Sequence, residues 1–224
     1  MTTPPPRRLP SIATYDLPAE ADLPPSRADW QLDPVRAALL VHDMQAYFVD
    51  AFVPQSAPIA PATAAIAQLI AGARAAGVPV FYTAQNGDQD RRDRGLQADL
   101  WGPGMRHIAE HQPIIEPLAP ESGDFVLTKH RYSAFQRSNL ETLMRARGRD
   151  QLIICGVYAH IGCMLTAGEA FQRDIEPFFV ADALADFSRA WHDAALDQVA
   201  DCSGVVLSTR QTLAALDKAP PEPK

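Results

Sequence analysis

Gln151-Leu-Ile-Ile-Cys-Gly-Val-Tyr-Ala-His-Ile-Gly-Cys-Met-Leu-Thr-Ala-Gly168 reads as a strand that runs straight into a helix. Residues 151 to 155 are a short, mostly apolar and β-branched run, the pattern of a strand covered on both faces of a parallel sheet. From Met164 onward the period changes, and Met164, Ala167, Ala170 and Phe171 fall on one helical face. The residues between are therefore a strand-to-helix turn. At such a turn the first helical N–H groups and the positive end of the dipole face the space above the sheet. Ile161, Gly162 and Cys163 are thus placed to hold an anion or a developing negative charge. An ordinary turn with glycines for clearance explains the same residues, and the stretch by itself does not choose.

Outward from this turn the same unit repeats. Ala37-Ala-Leu-Leu-Val-His42, Val78-Pro-Val-Phe-Tyr-Thr83, Asp124-Phe-Val-Leu-Thr128, Glu176-Pro-Phe-Phe-Val-Ala181 and Gly204-Val-Val-Leu-Ser208 are apolar runs of strand length. Helical patterns separate them. Residues 61 to 76 have Pro61 in a first-turn position and end at Gly77. Ser138-Asn-Leu-Glu141 reads as a capping box for a helix through Leu140, Leu143 and Met144 to Gly148. Ser188 caps a helix with Trp191, Ala195, Leu196 and Val199 on its apolar face, and Thr209 to Leu216 form the last helix. Apolar strands alternating with helices predict a doubly wound, three-layer α/β/α domain on a six-stranded parallel sheet. That domain spans residues 37 to 216. Residues 1 to 36 are a Pro-rich tail expected to lie on its surface, pinned by Tyr15 and Trp30, and 217 to 224 are a C-terminal tail.

Composition narrows the partners. A chain of 224 residues, 47% hydrophobic, is long enough for one core burying roughly 70% of the unfolded surface. A net charge of −7 argues against nucleic acid or an anionic membrane surface. No run of 18 apolar residues exists and the N-terminus lacks the apolar centre of a signal peptide, so a cytoplasmic protein with no membrane span is expected. Cys155, Cys163 and Cys202 are odd in number and lack metal-ligand spacing, which predicts reduced thiols and no metal site. No G-x-G-x-x-G follows the first strand, so no nucleotide cofactor is expected.

In open parallel sheets ligands bind beyond the carboxyl ends of the strands. Asp43, Gln85, Lys129 and the stretch from Tyr158 to Gly162 directly follow the first four strands. Singly each has an ordinary explanation: a cap, a loop amide, a solvated charge. Together an acid and an amine in one crevice form a candidate catalytic pair. Arg91, Arg92, Arg94, Lys129, His130 and Arg131 gather near the ends of strands two and three. They predict an electropositive crevice and a small anionic substrate, unless Asp88, Asp90 and Asp93 merely balance a surface loop.

Six stretches then carry a family resemblance. Val41-His-Asp-Met-Gln45, Tyr82-Thr-Ala-Gln85, Trp101-Gly-Pro-Gly-Met105, Leu127-Thr-Lys-His-Arg-Tyr-Ser-Ala-Phe135, Gly156-Val-Tyr-Ala-His-Ile-Gly162 and Val180-Ala-Asp-Ala-Leu-Ala-Asp-Phe-Ser188 resemble the isochorismatase family of the cysteine-hydrolase-like superfamily, and within it the phenazine- and siderophore-pathway members. The resemblance covers roughly residues 11 to 216. It implies hydrolysis of a vinyl ether, releasing pyruvate from isochorismate or its 2-amino-2-deoxy analogue, without metal or organic cofactor, in a homodimeric enzyme. By the match, Asp43 is the acid and Lys129 its partner. Gln85, Arg94, Trp101, Tyr158 and Gly162 contact the substrate, a dicarboxylate, while Phe48 and Trp101 close over it. A partly apolar surface around the Pro-rich segment 52 to 61 is the candidate dimer contact.

Relatives that hydrolyse amides carry a nucleophilic cysteine in the turn after strand four. Gly162 falls at that position and Cys163 one residue later. One residue at a helix start rotates a side chain by about 100°, so Cys163 is expected to pack away from Asp43 and Lys129. Two other readings stand beside the ether hydrolase: a Cys163-dependent amidase of the nicotinamidase type, and a non-catalytic binding protein on the same fold. Only eight residues follow Leu216, so no fused carrier domain is expected. Whether the substrate ring carries a hydroxyl or an amine at its 2-position is not written in these motifs.

Overall fold

In a computed structural model residues 9–217 are described. Six strands, β1 (Ala37–His42), β2 (Val80–Ala84), β3 (Phe125–Thr128), β4 (Gln151–Val157), β5 (Glu176–Ala185) and β6 (Val205–Leu207), form one sheet in the order β3-β2-β1-β4-β5-β6. Every neighbouring pair is parallel. The chain winds outward from β1 to β3, returns to the centre and winds the other way from β4 to β6. The order therefore reverses between β1 and β4, which is where a crevice opens above a doubly wound sheet.

Alternation along β1 sends its side chains to two cores. Ala37, Leu39 and Val41 face the layer built by α2 (Ile59–Ala75) and α8 (Thr209–Leu216). Ala38 and Leu40 face the layer of α5 (Leu140–Arg145), α6 (Met164–Phe171) and α7 (Arg189–Cys202). Shorter helices complete the upper rim: α1 (Ala46–Val49) after β1, and α3 (Arg91–Arg94) and α4 (Gln97–Trp101) after β2. Among the described residues no helix is long and apolar enough to cross a membrane.

Several local details differ from the sequence reading. β5 runs four residues past Ala181, because Asp182, which looks like a strand stop, caps α8: its carboxylate accepts from Thr209 N at 2.6 Å and Thr209 Oγ1 at 2.8 Å. Ser138 does not form a capping box with Glu141. Its hydroxyl accepts from Leu140 N and donates to the Ala134 carbonyl, while Glu141 pairs with Arg173. The reciprocal box is instead at Ser208 and Gln211. Trp191 is not on a buried face. It is 53% exposed and stacks on His160, since it sits in the first turn of α7 beyond the sheet. Within segment 52 to 61, Phe52, Pro58 and Ile59 turn inward, while Val53, Pro54 and Pro61 stay exposed.

The N-terminal segment lies along the domain from Leu9 onward. Ile12 donates to the Ala51 carbonyl, Tyr15 accepts from Asp186 N at 2.7 Å, and Trp30 stacks on Phe171. Residues 1 to 8 and 218 to 224 of the two tails lie outside the described residues.

Candidate active site

Asp43 leaves the end of β1 with φ at +51°, in the left-handed region that Asp tolerates better than branched residues. The turn aims its carboxylate across the switch point toward β3. There Lys129, whose N–H extends the ladder by donating to the Ala84 carbonyl, brings Nζ to 2.6 Å from Asp43 Oδ2. Both side chains are buried. Thr83 Oγ1 donates to Asp43 Oδ1 at 2.7 Å, and the amide of Gln85 lies 3.4 Å from Oδ2. Burial alone would push the Asp43 carboxyl up. The Lys129 ammonium, the His42 ring and the hydrogen bonds from Lys129 and Thr83 outweigh it, leaving the acid below its ordinary range.

A pocket opens over this pair. Asp43, Lys129, Gln85 and Gly162 line it, together with Arg94, Trp101, Tyr158 and Phe48, so the structure brings together all eight residues singled out from the sequence. Arg94 is held by its Nε donating to the Gly102 carbonyl at 2.6 Å, and burial lowers its pKa without removing its charge. Of the loop arginines only Arg94 reaches the pocket. Arg91 bonds Asp99 and the Gly95 carbonyl, and Arg131 bonds the Asp93 carbonyl. The electropositive crevice is thus narrower than the sequence suggests: two cations, Arg94 and Lys129, face the site.

Aromatic side chains wall the rest. Tyr158 donates its hydroxyl to the Phe48 carbonyl at 2.8 Å and meets Phe187 at 4.6 Å between ring centres. Trp101 Nε1 donates to Tyr132 Oη at 2.6 Å, with Phe187 also against its ring. Leu9, Tyr47, Gln97, Tyr132, Val157 and Ile161 complete the lining. Of these six, Ile161 belongs to the turn singled out from the sequence, and Tyr132 and Val157 stand within quoted stretches without having been read as site residues; Leu9, Tyr47 and Gln97 were not legible.

The turn after β4 departs from a plain helix start. Residues Ala159–Cys163 form a π-type turn in which Ile161 N and Cys163 N both donate to the Tyr158 carbonyl, at 3.2 and 3.3 Å. Those two N–H groups are therefore spent within the turn, and the predicted cradle of three free donors is not present. Cys163 is fully buried in the core beneath α6, does not line the pocket, and has its thiol pushed well up by burial. The 100° rotation assumed for an α-turn does not apply to a π-type turn, yet the thiol still ends up in the core and outside the pocket lining.

His42 is a residue the sequence reading passed over as the end of an apolar run. Its ring is fully buried, with Nδ1 3.0 Å from the Val157 carbonyl and 3.8 Å from Asp43 Oδ2. Burial lowers its pKa to about 4, so it is neutral at physiological pH. Among the described residues no cluster of three or more His, Cys, Asp or Glu is arranged to hold a metal ion.

Comparison with known proteins adds independent findings. The Isochorismatase domain model matches residues 37–211. The chain is 49% identical over 212 residues to an isochorismatase of Bacillus subtilis (strain 168), covering 95% of this chain and 68% of that one. It is 46% identical over 209 residues to phenazine biosynthesis protein PhzD of Pseudomonas fluorescens, covering 92% and 98%. A cysteine hydrolase from Pseudomonas syringae pv. phaseolicola 1448A superposes with a TM-score of 0.76 at 30% identity, over 87% of this chain and 97% of that one.

Proposed function

The chain belongs to the isochorismatase family, and from that membership we propose that it hydrolyses the enolpyruvyl vinyl ether of isochorismate or of its 2-amino-2-deoxy analogue, releasing pyruvate. The observation that carries the chemistry is the buried Lys129–Asp43 pair, 2.6 Å apart, on the floor of a pocket lined by no thiol. A carbonyl calls for a nucleophile. A vinyl ether calls for a proton on its terminal methylene carbon, which a carboxylic acid supplies.

In this reading Asp43 gives its proton to the methylene carbon, which becomes a methyl group as the π electrons form the new C–H bond, and the neighbouring ether-bearing carbon is left as an oxocarbenium ion. Water adds to that ether-bearing carbon and returns a proton to Asp43. The hemiketal then collapses, the C–O bond to the ring breaking with its electrons going to the ring oxygen, to give pyruvate and the ring alcohol. General acid catalysis of this kind contributes roughly 10²- to 10⁴-fold, and fixing the enolpyruvyl arm against the acid adds more.

An acid must hold its proton, whereas Lys129 and Thr83 keep Asp43 below its ordinary range. A substrate carboxylate drawn in by Arg94 and Lys129 resolves this. It competes for the ammonium and adds a second negative charge, and both effects raise Asp43 toward neutrality. Trp101, Phe48 and Tyr158 wall the enolpyruvyl arm off from bulk solvent, leaving room for the one water that the hydrolysis consumes.

The test is pyruvate release from isochorismate and from the 2-amino compound, coupled to lactate dehydrogenase. Release from neither would overturn the reading. Iodoacetamide separates it from the Cys163 amidase: the buried Cys163 thiol should leave turnover untouched, and a parallel loss of activity with Cys163 labelling would favour the amidase. The homodimer implied by the family reading is tested by sedimentation.

A further inference from the structure

Gly162 and the imidazole of His42 compete for one space. A β-carbon on Gly162 would lie 2.2 Å from His42 Cε1, 2.9 Å from Nε2 and 3.1 Å from Nδ1, all inside van der Waals contact. The ring has little freedom to withdraw. It leaves β1 toward the face that α5, α6 and α7 cover, is fully buried, and has Nδ1 against the Val157 carbonyl. The backbone behind it is pinned too. His42 pairs with Gly156 in register, and a β-carbon on Gly156 would lie 2.2 Å from the His42 carbonyl oxygen. Even a single methyl at position 162 therefore requires the imidazole to leave its place.

Position 162 is also where a side chain would bear on the chemistry. Gly162 lines the pocket with Asp43 and Lys129, whereas its neighbour Cys163 lies in the core and does not. We propose that His42 is a specificity-determining residue: its imidazole keeps position 162 free of any side chain and so shuts a nucleophile out of the pocket beside Asp43 and Lys129. The restriction to proton-driven chemistry is then written on β1 as well as in the turn after β4. Gly162→Cys by itself does not make a thiol enzyme of this protein, because the space for the sulfur is occupied. The inference concerns which side chains the site admits, so it stands or falls separately from the identity of the substrate.

The test uses the whole protein in a Cys202→Ser background, which removes the exposed thiol. Gly162→Cys and His42→Ala/Gly162→Cys are compared by melting temperature and by iodoacetamide labelling localised with tandem mass spectrometry. We expect the single variant to melt roughly 3 to 10 °C lower, the cost of overpacking a fixed site. Its introduced thiol should label at least about tenfold more slowly than in the double variant, where the ring is gone. The double variant should regain most of the lost stability although His42→Ala alone lowers it, a compensation that a purely structural role for His42 does not produce. A single variant with parental melting temperature and a thiol that labels as fast as in the double variant would overturn the proposal. If the single variant does not fold, the double variant decides: folded and reactive supports it, unfolded or protected sinks it.

Discussion

Thr83 and Asp43 bond each other twice: Thr83 Oγ1 donates to Asp43 Oδ1 at 2.7 Å, and the Asp43 N–H donates back to the same hydroxyl at 3.0 Å. One hydroxyl thereby holds both the left-handed backbone of the acid and its carboxylate. Thr83→Val keeps the shape and removes both bonds, leaving a buried N–H without its partner. A hydrogen bond to a charged group is worth roughly 1.5 to 3 kcal/mol, so kcat/KM should fall about 10- to 100-fold. Loss of a bond that lowers the Asp43 pKa should also move the high-pH limb of the profile upward. A limb that stays in place while the rate falls would show that Thr83 positions the acid without tuning it.

The Lys129–Asp43 pair separates stability from catalysis. Asp43→Asn leaves a buried ammonium without its counter-charge, which costs up to roughly 3 to 5 kcal/mol of stability. Turnover should fall by roughly 10²- to 10⁴-fold with substrate binding kept. Adding Lys129→Met removes the orphaned charge and should recover much of the stability in urea titrations. Turnover should not recover. Near-normal turnover in Asp43→Asn defeats the assignment of the proton donor.

The central strands were legible because burial on both faces leaves their residues no polar side to show, and the candidate site because the loops that follow the strands of a parallel sheet all emerge at its carboxyl rim. Asp43, Gln85 and Lys129 therefore stood out as polar residues at the ends of apolar runs. Thr83 and His42 did not, since each lies within such a run, where Thr reads as β-branched strand filler and His as its last residue. Their roles depend on partners far along the chain, Thr83 on Asp43 and His42 on Gly162, which no local pattern encodes. The end of β5 was missed for a like reason: Asp182 is tolerated in the strand only because Thr209, on another element, takes up its carboxylate. Leu9 and Phe187 join the site through the packing of the N-terminal segment and the aromatic wall, again invisible to periodicity.

His42 should give the protein a specific acid sensitivity. Its pKa falls from 6.5 in the unfolded chain to about 4 in the folded protein, chiefly through burial, so over that interval the unfolded chain binds the extra proton. The stabilisation is complete above pH 6.5 and is lost as pH falls through about 4, a change of about 3 kcal/mol. Asp43, also depressed, contributes only as pH drops below the ordinary carboxylate range, near 4. His192 is lowered by burial too, but it is common to both proteins compared. Unfolding free energies between pH 7 and 4 should therefore slope less steeply in His42→Gln than in the parent. Equal slopes would mean the ring is not buried in its neutral form.

Gly104 should control substrate affinity through Arg94. Its φ is +81°, and a β-carbon there would lie 2.4 Å from Arg94 Nη1 and 2.5 Å from Cζ, so Gly104→Ala must displace the guanidinium from its place against the pocket. If Arg94 grips a substrate carboxylate through paired hydrogen bonds, losing that grip raises KM roughly 10- to 100-fold with a smaller effect on kcat. Arg94→Lys should do nearly the same, because it keeps the charge but not the planar fork. The decisive comparison is the double variant. If Gly104 acts only by seating Arg94, Gly104→Ala adds little to KM once Arg94→Met has been made, and the two effects are strongly non-additive. Additive effects on KM would mean that the Gly102–Gly104 turn touches the substrate directly, and Arg94 would lose its place as the element that turn supports.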